Sequence, residues 1–510
     1  MKHTTEKDVV PTAEVEVFDQ DVRVHQTGEV ELERNFRFLD ALGMAFAMLN
    51  SWTAMAASLS LILPSGGPVA MTWGLCVSAV GSLAMCATLA EICHVYPSLG
   101  GQYDWAYLLA PPAYRRGLAW IAGWMTAAGW VSVTATGSSL GASFVIGLIS
   151  IWNENYVTKP YHTFLVYLAF TVGAFLLNTF AVRALPMVDR IALFWSLTGI
   201  VTVIIVVLST SKGDYETGRF VFTTFVNETG WPGGVAFLLG LLQSTFGLTG
   251  FDAISHMIEE MPNPRMNAPR IMVSAVLLGS VTSFLFIVCV LFSINDFDGL
   301  ITTSYGALLD AYYQATSSRA GATGLIMFNL VAMAFATQGL MTVASRIVMS
   351  TARDGLYGPL SPHLARVHPR LAVPHWSLVF VAIWIIIFDL GSSVALNAIL
   401  SSSVVLLEIS YIIPIMLVLL RGTKVLEPEG YPKRILTMGK FRPFVNIFAA
   451  IFAIVTITFF CFPPAIPVSG TSMNYVVVVV AFVCLLCLSA WLVSGKKHYQ
   501  GPKVKVAHFE

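Results

Sequence analysis

About twelve times along this 510-residue chain, an apolar run of roughly 20 residues is followed by a short polar loop. That run length matches the ~30 Å hydrocarbon core of a bilayer. Inside hydrocarbon every backbone amide must be bonded within its own segment, so each run is read as a helix. The runs fall near 39–63, 68–90, 118–150, 161–182, 187–210, 233–258, 271–294, 320–349, 375–391, 394–420, 443–462 and 474–494. The composition agrees: 56% of residues are hydrophobic and 11% charged, where a soluble domain carries about 25% charged residues. The chain is expected to be an all-α polytopic membrane protein, and a water-soluble enzyme is excluded.

Charge sets the orientation. Lys and Arg total 29, balanced by 29 Asp and Glu, so no basic face invites nucleic acid. With the N-terminus placed in the cytosol, the cytosolic segments hold 25 of the 29 basic residues and the external loops hold 4. By the positive-inside rule both termini are cytosolic. The sequon at Asn227 then falls on the external side, where glycosylation is permitted. The seven cysteines all lie in or at the ends of apolar runs. Cys484 and Cys487 have CxxC spacing but no ligand partners, so neither a disulfide framework nor a metal site is expected. The chain divides into a cytosolic tail (1–38), a first five-helix unit (39–210), a second (211–420), two appended helices (421–494) and a cytosolic tail (495–510).

Two spans carry helix-breaking residues at mid-depth. Span one is interrupted at Asn50, Ser51 and Trp52, and span six at Gly247-Leu248-Thr249-Gly250. They are equivalent positions if the first ten helices form two five-helix halves, the second inverted because five is odd. Paired breaks in corresponding spans point to a transporter site at the midplane, although glycines in a span also serve close helix packing.

The motifs then resemble a known group. Ala90-Glu91 followed by Tyr96-Pro97-Ser98-Leu99-Gly100-Gly101-Gln102-Tyr103-Asp104-Trp105 resembles the signature after helix two of the amino acid–polyamine–organocation permeases. Ser345-Arg346 through Ala352-Arg353-Asp354-Gly355-Leu356 resembles that superfamily's segment at the cytosolic end of helix eight. Asn50-Ser51-Trp52, Phe225 to Trp231, Asp252 with His256-Met257, and Ser410-Tyr411-Ile412-Ile413-Pro414 narrow the likeness to its fungal amino acid/choline transporter branch. The resemblance implies a LeuT-type fold of five plus five inverted helices with two more appended, and secondary active transport. Two departures stand out. Asn50-Ser51-Trp52 replaces the small turn that holds a substrate carboxylate in many amino acid permeases, and span five has no lysine to relay a coupling proton.

Ionisable groups inside a membrane cost roughly 2.5–3.5 kcal/mol each at mid-span, so each is a functional candidate. Asp252 either meets an ammonium substrate or caps its half-helix. On an α-helix His256 and Glu259 share its face and could relay a proton with it. Trp52, Phe251 and Trp130 either offer aromatic faces to a cation or pack between helices. Asn50, Ser51, Gly247, Thr249 and Gly250 complete the substrate-binding set. Glu408, mid-way along span ten, either selects a basic substrate, carries a proton, or is a protonated acid bonded to a neighbouring helix. Glu91, Arg346, Arg353 and Asp354 are expected to close the cytosolic face as gate residues.

The expected activity is import of a small amine-bearing solute, such as choline or a GABA-like amino acid, across the plasma membrane by proton symport. A membrane enzyme or receptor is the competing class, but no nucleophile or metal-ligand constellation supports it. No cofactor is expected beyond the coupling ion, and the partners are the solute and the lipid bilayer. The sequence assigns no oligomeric state.

Overall fold

The computed structural model describes residues 38–211, 213, 215–389, 395–427, 435–470 and 473–503. The N-terminal tail through residue 37 and residues 504–510 lie outside the described residues. Among those described, all the regular elements are helices. Ten are long and apolar enough to cross a membrane, and two shorter apolar helices, Ala41–Ala57 and His375–Phe388, make up the expected twelve spans. An even number of spans puts both ends of the series on one face, the terminal face. Span three is a single 38-residue helix, Arg115–Trp152, about 57 Å long at 1.5 Å per residue, so it projects well beyond the hydrocarbon.

The packing follows the inverted repeat. Span two (Gly67–Val95) lies along span seven (Pro264–Phe292), and span three lies along span eight (Arg319–Arg353). Each pair joins equivalent members of the two halves. Span three also packs along span ten (Ala395–Arg421), and the first half of span one along span five (Val182–Thr210). The loop from Tyr96 to Gly117 contains a helix, Gln102–Leu109, with Gln102, Tyr103 and Trp105 fully buried. This cap helix seats against span three on the terminal face.

The appended span eleven (Arg442–Phe459) is fixed to span two by polar bonds at two depths. Thr88 donates to the Asn446 side chain at 2.8 Å, and Arg442 grips Glu91 with two guanidinium nitrogens, Nε at 2.7 Å. Glu91, expected at the gate, therefore anchors span eleven rather than meeting Arg346 or Arg353. Removing one partner of a buried ion pair leaves the other charge uncompensated, which costs about 3–5 kcal/mol. We expect Arg442→Ala to lower the unfolding temperature of the detergent-purified protein clearly, while Arg442→Lys loses less because it retains the charge. Equal stability of both variants with the parent would remove this pair from the list of fold determinants.

Candidate functional site

Both predicted breaks are present, and each depends on a left-handed residue. Helix Phe38–Leu49 ends at Asn50, whose φ is 42°, and a second helix begins at Ser51. In span six, helix Gly233–Leu248 ends before Thr249, Gly250 takes φ 98°, and Phe251–Glu260 continues as a 3-10 helix. The two breaks meet: a Cβ on Gly247 would lie 3.2 Å from the Ser51 carbonyl oxygen and 2.7 Å from the Met55 side chain. Asn50 is buried with both side-chain polar atoms unbonded, and the Ser51 hydroxyl is buried and unbonded too. Buried polar groups are nearly always satisfied in folded proteins, so these unbonded atoms stand out at the break. Thr249 turns its hydroxyl back to the Thr245 carbonyl, at 2.7 Å.

One residue past the second break, Asp252 is fully buried inside a cage of donors. Its Oδ2 accepts from Gln102 Nε2 at 2.8 Å, Trp130 Nε1 at 3.1 Å and His256 Nε2 at 3.1 Å. Its Oδ1 accepts from the Tyr411 hydroxyl, and the Tyr411 ring lies against Phe251 with centroids 5.0 Å apart. The donors come from the cap helix, span three, span six and span ten. Three donors therefore converge on Oδ2 and one on Oδ1, against two lone-pair directions on each oxygen. Gly101 permits the cap helix's approach. Its φ is 52°, and a Cβ there would sit 2.6 Å from the His256 ring.

His256 has acceptors on both sides. Nε2 faces Asp252, and Nδ1 lies 3.0 Å from the Leu99 carbonyl oxygen. Both contacts are hydrogen bonds at once only if both ring nitrogens carry hydrogen, or if Asp252 itself is protonated. Either way, the pair as built holds one proton more than a neutral His beside an ionised Asp.

The other predicted residues divide into separate groups. Glu259 does not face Asp252. At about 2.0 Å per residue the 3-10 segment carries Glu259 roughly 14 Å along its axis from Asp252, and it pairs with Arg353 at 3.3 Å on the partly exposed rim. Glu260, which sequence reasoning passed over, makes the buried pair with Arg346 at 3.1 Å. Trp52 donates to Ser196 of span five at 2.8 Å and meets Phe286 of span seven edge-on, so its indole is engaged in packing there. Trp130 lies at the second break: a Cβ on Gly250 would lie 3.4 Å from its ring. Glu408 is fully buried and accepts from Thr456 of span eleven at 2.6 Å, with its other oxygen unbonded. Asn227 is exposed on the face opposite the termini, with its amide bonded to the Trp231 carbonyl. Gln102, Tyr103 and Tyr411 were visible only as motif letters, because their value depends on contacts across the fold.

Two acids sit under the terminal face. Burial, then the neighbouring Asp354, pushes the Asp104 carboxyl up to about 7, against a bond from the Gly100 amide. Burial pushes the Asp354 carboxyl up to about 6, against donors at the Lys503 amide (2.9 Å) and the Tyr103 hydroxyl (3.2 Å). In open water both groups would titrate near ~4, so the closed face binds protons that an opened one releases. The closed arrangement is therefore weakest above pH 7 and gains stability as pH falls from 7 towards 4. We expect hydrogen exchange of the cap-helix amides, corrected for intrinsic rate, to slow by at least about threefold from pH 7.5 to 5.5. Asp104→Asn with Asp354→Asn should flatten that dependence, and an unchanged slope in the double variant would contradict it.

Broken spans one and six, inverted halves and a polar centre at the crossing define a membrane permease of the broken-helix type. The chain belongs to the amino acid permease family, whose sequence model matches residues 36–483. It is 32% identical to the choline transporter of Saccharomyces cerevisiae over 481 residues, covering 92% of this chain and 83% of that protein. It is 30% identical to an amino-acid permease of Arabidopsis thaliana, covering 94% and 96% of the two chains. The crystal structure of a manganese transporter from Eremococcus coleocola shares the fold, with a TM-score of 0.51 at 13% identity over 89% of this chain and 92% of that one.

Proposed function

We propose that this permease imports a small amine-bearing solute, choline or a GABA-like amino acid, across the plasma membrane by proton symport, with both termini in the cytosol. The substrate class is supported by the names of its relatives and by the site. Asn50 and Ser51 offer unbonded polar atoms at the first break, and the Phe251 and Tyr411 rings lie together next to Asp252 at the second. The first halves of spans one and six end at the breaks with carbonyls and the second halves begin there with amides, so the dipole ends roughly cancel and the side chains, Asp252 above all, favour a cationic head group. Among the described residues neither broken segment contains a Lys or Arg within four residues of its break.

The coupling reading rests on one observation: His256 lies between two acceptors, Asp252 and the Leu99 carbonyl. With its proton, His256 ties the cap-helix segment to span six. Without it, one of the two oxygens faces a lone pair, and the tie is lost at a cost of about 1–3 kcal/mol for the unmatched buried group. Proton release towards the terminal face therefore coincides with loosening of the segment that closes that face. Orientation is supported by the 25-to-4 division of basic residues.

Uptake of labelled choline and labelled GABA, in cells lacking their own permeases, tests the substrate class. Uptake should collapse with a protonophore and survive removal of Na⁺. We expect Asp252→Asn to reduce it at least ~10-fold, equivalent to about 1.4 kcal/mol, at unchanged surface level. His256→Gln should allow exchange across the membrane but abolish accumulation against a gradient. Na⁺-dependent uptake indifferent to the protonophore, or accumulation by His256→Gln, would reject proton coupling. A tag in the Asn227 loop that is protected in intact cells would reject the orientation.

A further inference from the structure

Span twelve (Val476–Ala490) continues helically to His498, and the described residues after it stay on the protein surface. Residues 499–503 run non-helical across the terminal face, and Tyr499 is buried. The Tyr499 ring stands edge-on to Trp120 at 5.0 Å and lies 6.3 Å from Trp491. Its backbone carbonyl accepts from Arg116, at the start of span three. Its hydroxyl donates to the Tyr103 hydroxyl at 3.0 Å, and Tyr103 donates on to Asp354 at 3.2 Å. Two residues later, Gly501 takes φ 106° against the Tyr107 ring, and the Lys503 amide donates to Asp354 at 2.9 Å. Tyr103 and Tyr107 belong to the cap helix, and Asp354 follows the end of span eight. The segment thus binds the cap helix to spans three, eight and twelve together.

Adjacent residues of the cap helix reach in opposite directions. Gln102 donates to Asp252 in the centre of the protein, and Tyr103 meets the C-terminal segment. We propose that residues 499–503 are a strap that keeps the cap helix seated under the site, with Tyr499 as its positioning residue, so that release of the strap is a step in opening the site to the terminal face. This rests on the reading of Asp252 as the centre of the transport site. The strap adds no atom to that site and acts through the placement of Gln102 and Gly101.

The test measures opening directly and needs no cargo. Ser255 is fully buried, and a Cβ on Gly101 would lie 2.8 Å from its hydroxyl, so it is shielded by the cap-helix segment. A cysteine introduced as Ser255→Cys, in a chain whose seven native cysteines are alanine and which retains uptake, reports that shielding. The full-length protein in lipid nanodiscs, with both faces open to a maleimide, is labelled in parallel with strap variants. Tyr499→Ala should raise the labelling rate at least ~5-fold, and Tyr499→Phe, which retains the ring packing, less than about twofold. Lys503→Pro removes the amide that bonds Asp354 together with the lysine charge, leaves Tyr499 in place, and should raise the rate to an intermediate level, which covers the case in which Tyr499→Ala folds poorly. In uptake assays with labelled choline or GABA, Tyr499→Ala should raise KM for external cargo with Vmax largely preserved. Labelling rates unchanged in both Tyr499→Ala and Lys503→Pro would overturn the strap. Loss of uptake on Asp252→Asn with normal labelling in the strap variants would overturn the strap alone. Undiminished uptake on Asp252→Asn with altered labelling would overturn the site reading instead.

Discussion

A carboxylate in the middle of a membrane protein demands donors, and the structure is organised around that demand at Asp252. Left uncompensated, such a charge costs several kcal/mol, and the cost falls only as polar hydrogens are brought to it. Here they come from four elements: Gln102 of the cap helix, Trp130 of span three, His256 of span six and Tyr411 of span ten. Each bond therefore also fixes the position of a helix. The donors come from both halves of the chain, so the acid's environment and the arrangement of the helices are set together.

The same logic orders the terminal face. Above the cage, the cap-helix segment is tied to span six through His256, and the segment's outer side is held by Tyr499 and Asp354. The rim pairs Arg346 with Glu260 and Arg353 with Glu259 join span eight to the end of span six. The buried pair imposes specific geometry, because separating it strands a charge in a poor solvent, whereas the partly exposed pair contributes little. Span eleven stands outside this set. Its clamp to Glu91 and its Thr456 bond to Glu408 attach it to spans two and ten.

The spans, their number and both breaks were legible in the sequence because hydrocarbon imposes one rule on every residue of a span. Hydropathy and helix-breaking residues therefore carry the pattern locally. The cage was legible only in part. Asp252 and His256 are four residues apart and announce themselves as charges in a span. Gln102 and Tyr411 lie 150 and 159 residues from Asp252 and look unremarkable by type. The Asp252–Glu259 face assumed an α-helix, whereas the stretched 3-10 segment Phe251–Glu260 carries Glu259 out to Arg353 on the rim and Glu260 to Arg346. Glu91 met its partner 351 residues away, in a helix that the gate expectation did not include. In each case the missing information was a long-range pairing that no local pattern encodes.

The central claim is that His256, hydrogen-bonded to Asp252 and to the Leu99 carbonyl at once, ties the cap-helix segment to span six. Nitrogen-15 NMR of the full-length protein with labelled histidine, with the His256 signals assigned by their loss in His256→Gln, measures this directly. The account predicts that Nδ1 of His256 carries hydrogen in the closed protein. A bare Nδ1, with hydrogen on Nε2 alone, would contradict it.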